Sequence, residues 1–164
     1  MLQTLPAQLQ VFILSMLPVL ELRFAIPYGM AALEMSRWTA LIFALAGNWL
    51  ISVFLLWALD PVTQFLRKHI PGMKPLTDWL FHRTRTKHSK KVTEMGHIAL
   101  LLFVAVPLPG SGAWSGSLVS YLFDVKKKTA LLWITLGLII SGVVVAYGTT
   151  GVMQAIEWAL GVSA

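Results

Sequence analysis

Residues 38–59 read WTALIFALAGNWLISVFLLWAL, an apolar run without a charge. Its length matches the roughly 20 residues that a helix needs to cross a ~30 Å hydrocarbon core. Arg37 flanks one end and Asp60-Pro61 the other, with Trp38 and Trp57 near the ends, where interfacial aromatics belong. Asp60-Pro61 reads as an N-cap and first-turn proline for a following helix. Residues 129–148, TALLWITLGLIISGVVVAYG, form a second run of this kind. It holds Gly137-x-x-x-Ser141 and Gly142-x-x-x-Ala146, a small-residue spacing that lets membrane helices approach closely; scattered small residues without a packing role are the alternative. The 164-residue chain is 57% hydrophobic and 12% charged, whereas a soluble domain carries about 25% charged residues. The fold class is therefore an all-α integral membrane protein.

Each long run is preceded by two short apolar arms. Leu9 to Leu20, LQVFILSMLPVL, stops at Glu21-Leu22-Arg23, and apolar sequence resumes as FAIPYGMAAL up to Glu34. A helix of a dozen residues reaches roughly 18 Å, short of the hydrocarbon core. Residues 8–35 therefore read as a re-entrant hairpin with its tip near Pro27; one kinked spanning helix through Pro18 and Pro27 is the alternative. The pattern recurs over 96–123, where GHIALLLFVAV runs into Pro107-Leu108-Pro109-Gly110-Ser111-Gly112 and then AWSGSLVSYLF. Broken backbone at membrane depth survives only when buried in protein or lining a wet cavity. The domain reading is thus repeat one at 1–59 (hairpin 8–35, spanning helix 37–59) and repeat two at 96–148 (hairpin 96–123, spanning helix 128–148). The tips at Pro27 and Pro107 lie 80 residues apart. A connector at 60–95 and a tail at 149–164, read as a short interfacial helix carrying Glu157 and Trp158, complete the chain.

The connector holds eight of the thirteen Lys/Arg of a chain with net charge +6, including RTRTKHSKK at 83–91. Basic loops between membrane segments stay in the cytoplasm and contact anionic lipid head groups, so a nucleic-acid partner is excluded; for the 83–91 run a solvated, positive-inside loop is favoured over a specific lipid-head-group site. Apolar residues at helical spacing (Val62, Phe65, Leu66, Ile70, then Leu76, Trp79, Leu80) predict two short amphipathic helices on the membrane surface. With 60–95 cytoplasmic, the second hairpin enters from the cytoplasm and the first from outside. Both termini lie outside a bacterial-type inner (plasma) membrane, and the repeats are inverted. Broken helices at the interface of such repeats form the substrate site of many secondary transporters. A small bundle of this kind is expected to form a homodimer. The first ten residues carry no cleavable signal pattern, so the first apolar segment is expected to be retained.

Several chemistries lack their residues. There is no cysteine, no Walker motif, no HExxH and no recognisable Ser/His/Asp set, and Glu94-x-x-His97 has no matching ligand pair. The expectation is no enzyme, no cofactor and no metal. The candidate substrate- and ion-binding residues are Glu21, Arg23, Pro27, Asn48, Pro107, Pro109, Gly110, Ser111, Gly112 and Trp114. Ionisable groups inside a membrane segment are costly and mark functional sites by default. Burial disfavours a charged carboxyl, which suits Glu21 to proton exchange. The fork geometry of Arg23 suits phosphate or carboxylate. A purely structural salt bridge that staples the two arms together and an interfacial position of no consequence are the alternatives. Gly110 and Gly112 permit close backbone approach, and freed N–H groups at the start of the next arm could face an anion, with Ser111 and Ser115 as further donors. A tight break serving packing alone is the alternative there. Asn48 either lines the same cavity or bonds another helix, the second being favoured.

Glu21-Leu22-Arg23-Phe24-Ala25-Ile26-Pro27-Tyr28-Gly29 resembles an E-R-x-x-I-P-x-G signature, and Pro107 to Gly116 resembles its P-x-P-G-x-G-A-W-x-G partner. Together they resemble the putative small multi-drug export protein family, a distant relative of the DedA/VTT superfamily. The resemblance covers nearly the whole chain. It implies inverted re-entrant loops, proton-dependent drug tolerance, or movement of undecaprenyl phosphate across the membrane. The second hairpin departs from the DedA pattern in lacking an arginine, and Arg23 is the sole hairpin arginine. The functional expectation is an ion-coupled secondary transporter or small multi-drug exporter. A translocator of undecaprenyl phosphate or another anionic lipid and a non-transporting membrane organiser are the rivals.

Overall fold

The computed structural model describes residues 4–85, 90–108 and 110–160, with side chains described outside 83–95 and 156–160. The described residues form seven helices and no strand: α1 (Ala7–Met16), α2 (Glu21–Ala31), α3 (Arg37–His69), α4 (Met73–Arg85), α5 (Lys90–Ala105), α6 (Ala113–Leu122) and α7 (Lys127–Leu160). Two of them, Arg37–His69 and Lys127–Ala155, are long and apolar enough to cross a membrane.

α3 and α7 form a central antiparallel pair. Lys127 at the start of α7 reaches Asp60 at 2.5 Å. At the other end the Arg37 guanidinium stacks on the Tyr147 ring at 4.5 Å. Between these fastenings Gly142 lies against Leu41, where an added Cβ would come within 2.7 Å of the leucine Cδ1. A small residue is needed there, as the 142–146 spacing predicts. Ala40, Ala44, Ala130, Ile134 and Ala146 are fully buried along the helices of this core.

The short helices fold back as two hairpins. In the first, Val11 of α1 packs at Gly29 of α2, and the Tyr28 hydroxyl donates to Gln10 Oε1 at 3.3 Å. In the second, Val104 of α5 packs at Gly116 of α6. α1 lies on α3 and α5 on α7, while α2 and α6 each touch both long helices. The first hairpin opens beside Arg37 and the second beside Lys127, at opposite ends of the antiparallel pair, and their turns meet between the ends.

At an offset of 90 several positions of the two halves correspond. Glu34 and Asp124, the linker residues after α2 and α6, both have left-handed backbone (φ 51 and 58). Thr39-Ala40-Leu41 and Thr129-Ala130-Leu131 open the two long helices. Gly47 of α3 abuts the Phe12 carbonyl and Ser15 of α1, and Gly137 of α7 abuts the Leu101 carbonyl (2.9 Å to an added Cβ) and Val104 of α5.

Five sequence expectations are corrected. The first turn lies at Leu17–Leu20 around Pro18, while Pro27 sits inside α2. A residue before proline is driven out of the α region, and Leu17 is extended (ψ 139). The turns are consequently about 90 rather than 80 residues apart. Asp60-Pro61 starts no helix: α3 runs through it to His69, and its N-cap is Ser36, whose Oγ accepts from Thr39 N at 3.2 Å. Of the two surface helices expected in 60–95, the first is therefore the end of α3 and only the second, α4, is separate. Residues 149–160 likewise continue α7 instead of forming a helix of their own. Part of the basic run (86–89) and residues 161–164 lie outside the described residues, as do the side chains of Glu94, Glu157 and Trp158.

Candidate functional site

The two hairpin turns hold each other by side chains that reach across about 90 residues of sequence. Glu21 opens α2 with left-handed backbone, φ 46, which costs an L-residue about 1–2 kcal/mol. In a regular helix Glu21 and Arg23, two apart, would face different ways. In this backbone both side chains turn to the second hairpin and lie 3.8 Å apart.

The partner surface is the start of α6. Its N-cap is Gly112, which has no side chain to accept from the free N–H groups of the first turn. Glu21 supplies the acceptor from another helix, with Oε1 taking the Trp114 N–H at 3.3 Å. A carboxylate at a helix N-terminus is stabilised by the helix dipole by ~0.3–1 kcal/mol at exposed sites, and more when partly buried. Glu21 is 5% exposed. The carboxylate lies so close to Gly112 that an added Cβ would fall 2.6 Å from its Cδ. Gly112 is glycine for space. Gly110, with φ 83 and no neighbour at its Cβ position, is glycine for conformation.

Arg23 ties down the turn itself. Its guanidinium donates to the Leu108 carbonyl and, at 3.1 Å, to Ser111 Oγ. Ser111 in turn donates to the Val106 carbonyl at 2.7 Å. Leu108 N–H closes back on Val106 O at 2.8 Å around Pro107, a three-residue turn. In exchange Trp114 Nε1 donates to the Met16 carbonyl at the end of α1 (2.9 Å). Carbonyls left over at helix ends and turns, which lipid cannot satisfy, thus find donors in the opposite hairpin.

Of the residues singled out from sequence, the structure gathers Glu21, Arg23, Ser111, Gly112 and Trp114 at one place, with Pro107 shaping the turn. Pro109 lies outside the described residues. Pro27 is one helical turn and more away in α2, half buried. Asn48 is fully buried on α3, and neither end of its amide has a hydrogen-bond partner among the described residues; the favoured bond to another helix is absent. The Met16 and Leu108 carbonyls were not foreseen, since backbone acceptors leave no mark in side-chain identity.

Residues 21–144 match the family described as putative small multi-drug export protein. The chain belongs to this family. The matched region begins at Glu21 itself and takes in both turns' polar residues, while α1 precedes it. No curated protein and no solved structure matches the chain. Membership in an export family accords with the two long apolar helices, and with a buried carboxylate and a half-buried guanidinium set between the two hairpin turns.

Proposed function

We propose that this family member is a multi-pass inner-membrane transporter, a proton-coupled secondary exporter of small molecules. Glu21 is the coupling carboxylate, Arg23 the anion contact, and the 107–114 turn the opposing gate. The observation that carries this reading is the Glu21–Arg23 pair, held between the two turns by bonds to Trp114, Leu108 and Ser111. A proton on Glu21 removes the negative charge from the α6 N-terminus and from Arg23 together. The two turns then lose the carboxylate's part of their link, while Arg23 still holds Leu108 O and Ser111 Oγ, and the α6 N–H groups and the face of the guanidinium that Glu21 had neutralised are open to a substrate anion. The carboxylate is in this sense a tethered competitor for the substrate position.

The topology belongs to the same proposal. The two hairpins are re-entrant and enter from opposite faces, in inverted repeats. Both termini lie outside, the basic connector is cytoplasmic, and the protein works as a homodimer. Support comes from the antiparallel α3–α7 pair, which places the open ends of the hairpins at opposite ends, and from the 90-residue correspondence of Gly47 with Gly137.

A second reading is translocation of an anionic lipid such as undecaprenyl phosphate, in keeping with a distant tie to the DedA/VTT superfamily. It is favoured by the apolar turn residues beside Arg23: Val19 is 89% and Leu108 60% exposed, a setting suited to an acyl or prenyl chain. The deciding experiment uses proteoliposomes with a pH gradient, following uptake of radiolabelled nalidixate, an anionic drug, and pyranine fluorescence in parallel. Glu21→Gln abolishes gradient-driven uptake under the first reading, and unchanged uptake defeats it. Under the second, nalidixate is not moved, and Arg23→Ala abolishes transfer of a fluorescent polyprenyl phosphate. If both variants fold and leave every flux and the cellular phenotype untouched, the protein is a membrane organiser.

A further inference from the structure

At the Lys127 end of the long pair, a cleft of about 490 Å3 opens between the last third of α3, helix α4, Tyr121 of α6 and Asp124 of the α6–α7 link. Its depth follows from helix lengths. α3 has 33 residues, roughly 50 Å at 1.5 Å per residue, about 20 Å more than a hydrocarbon core. The segment from Asp60 onward therefore emerges at the head-group level, and the cleft is built on that segment.

Its basic wall consists of Arg67, Lys68 and Lys74. Arg67 is engaged by Asp78, and Asp60 by Lys127. Lys68 and Lys74 have no ion-pair partner among the described residues. Gln64 and Tyr121 add neutral hydrogen-bonding groups to the lining, and Asp124 borders it on the α6–α7 side, away from the two lysines. The same two helices carry exposed apolar side chains: Val62 49%, Phe65 60%, Leu76 56% and Trp79 57%. Unpaired ammonium groups in a cleft at head-group depth, on helices with apolar outer surfaces, match a phosphate joined to a hydrocarbon chain. Two such lysines attract an anionic head group, and the apolar side chains hold the helices and the chain at the membrane boundary.

We propose that this cleft is a binding site for the phosphate of an anionic lipid head group, seated on Lys68 and Lys74 and distinct from the Glu21–Arg23 site. The proposal does not depend on transport. It is tested on the full chain in detergent by native mass spectrometry, with phosphatidylglycerol and phosphatidylcholine offered together. The wild type retains phosphatidylglycerol selectively. Lys68→Gln with Lys74→Gln lowers that retention about tenfold and leaves phosphatidylcholine unchanged. Lys126→Gln with Lys128→Gln removes the same charge at exposed positions outside the cleft and keeps retention at the wild-type level. Equal losses in the two double variants would reduce the effect to net charge and overturn the site. Undiminished retention in the first variant would overturn it too. Inorganic phosphate at millimolar concentration leaves the lipid bound; full displacement would make free phosphate the ligand and overturn the lipid assignment.

Discussion

Replacing Gly112 with alanine places a methyl group where the Glu21 carboxylate lies. The added carbon would fall 2.6 Å from Glu21 Cδ and 2.7 Å from Oε1, and nearer still to Oε2, whereas real Cβ contacts essentially never fall under 3.0 Å. The backbone at 112 is extended (φ 178) and accepts alanine, so the whole effect is steric. The carboxylate must withdraw from the α6 N-terminus, leaving the Trp114 N–H and Arg23 without it. A hydrogen bond to a charged group contributes ~1.5–3 kcal/mol, and the expected destabilisation is about 2 kcal/mol, roughly thirtyfold in the unfolding equilibrium. A double-mutant cycle isolates the contact. In the Glu21→Ala background no carboxylate remains to displace, and Gly112→Ala costs under ~0.5 kcal/mol. Unfolding by denaturant in mixed micelles, followed by tryptophan fluorescence, measures all four proteins. The reasoning fails if Gly112→Ala costs the same in both backgrounds.

Three further outcomes follow from the packing. Arg23→Lys lowers stability by ~1–2 kcal/mol in the same assay, because one ammonium cannot reproduce the planar fork that serves Leu108 O and Ser111 Oγ together; gradient-driven flux falls with it. Gly47→Ala and Gly137→Ala each cost ~1–3 kcal/mol by overpacking the α1–α3 and α5–α7 contacts, and similar losses at the two positions check the 90-residue correspondence by thermal unfolding in detergent. Ser141 has a buried hydroxyl with no partner among the described residues, so Ser141→Ala holds or raises stability, by up to ~1 kcal/mol, and a clear loss would show that the hydroxyl has a partner.

The long helices were legible because length and apolar content suffice to find them. Their ends were not. Pro61 looks like a helix start, yet α3 passes through it, its Asp60 end fastened by Lys127, a residue 67 positions later in sequence. Pro18 and Pro27 are equivalent by composition, and only packing separates them. Ala25, Ile26 and Gly29 are buried against α1 and the long helices and keep α2 regular through Pro27. Leu17, Pro18 and Val19 are exposed, and the chain turns there. The polar residues of the site could be picked out one by one, since charge and glycine are rare in apolar sequence. Their meeting could not, because it rests on a left-handed Glu21 and on backbone carbonyls of the opposite hairpin. Asn48 was visible as an oddity, and the structure supplies no bond that explains it.

The most direct test is one of sidedness in sealed membrane vesicles. The chain has no cysteine, so Thr4→Cys, Glu34→Cys, Lys68→Cys and Lys126→Cys each introduce a single thiol for a membrane-impermeant maleimide. Two half-depth hairpins entering from opposite faces predict that positions 4 and 34 react from the outside, and positions 68 and 126 from the cytoplasmic side. Reaction of positions 4 and 34 from opposite sides would make α1 and α2 one full crossing and contradict the account.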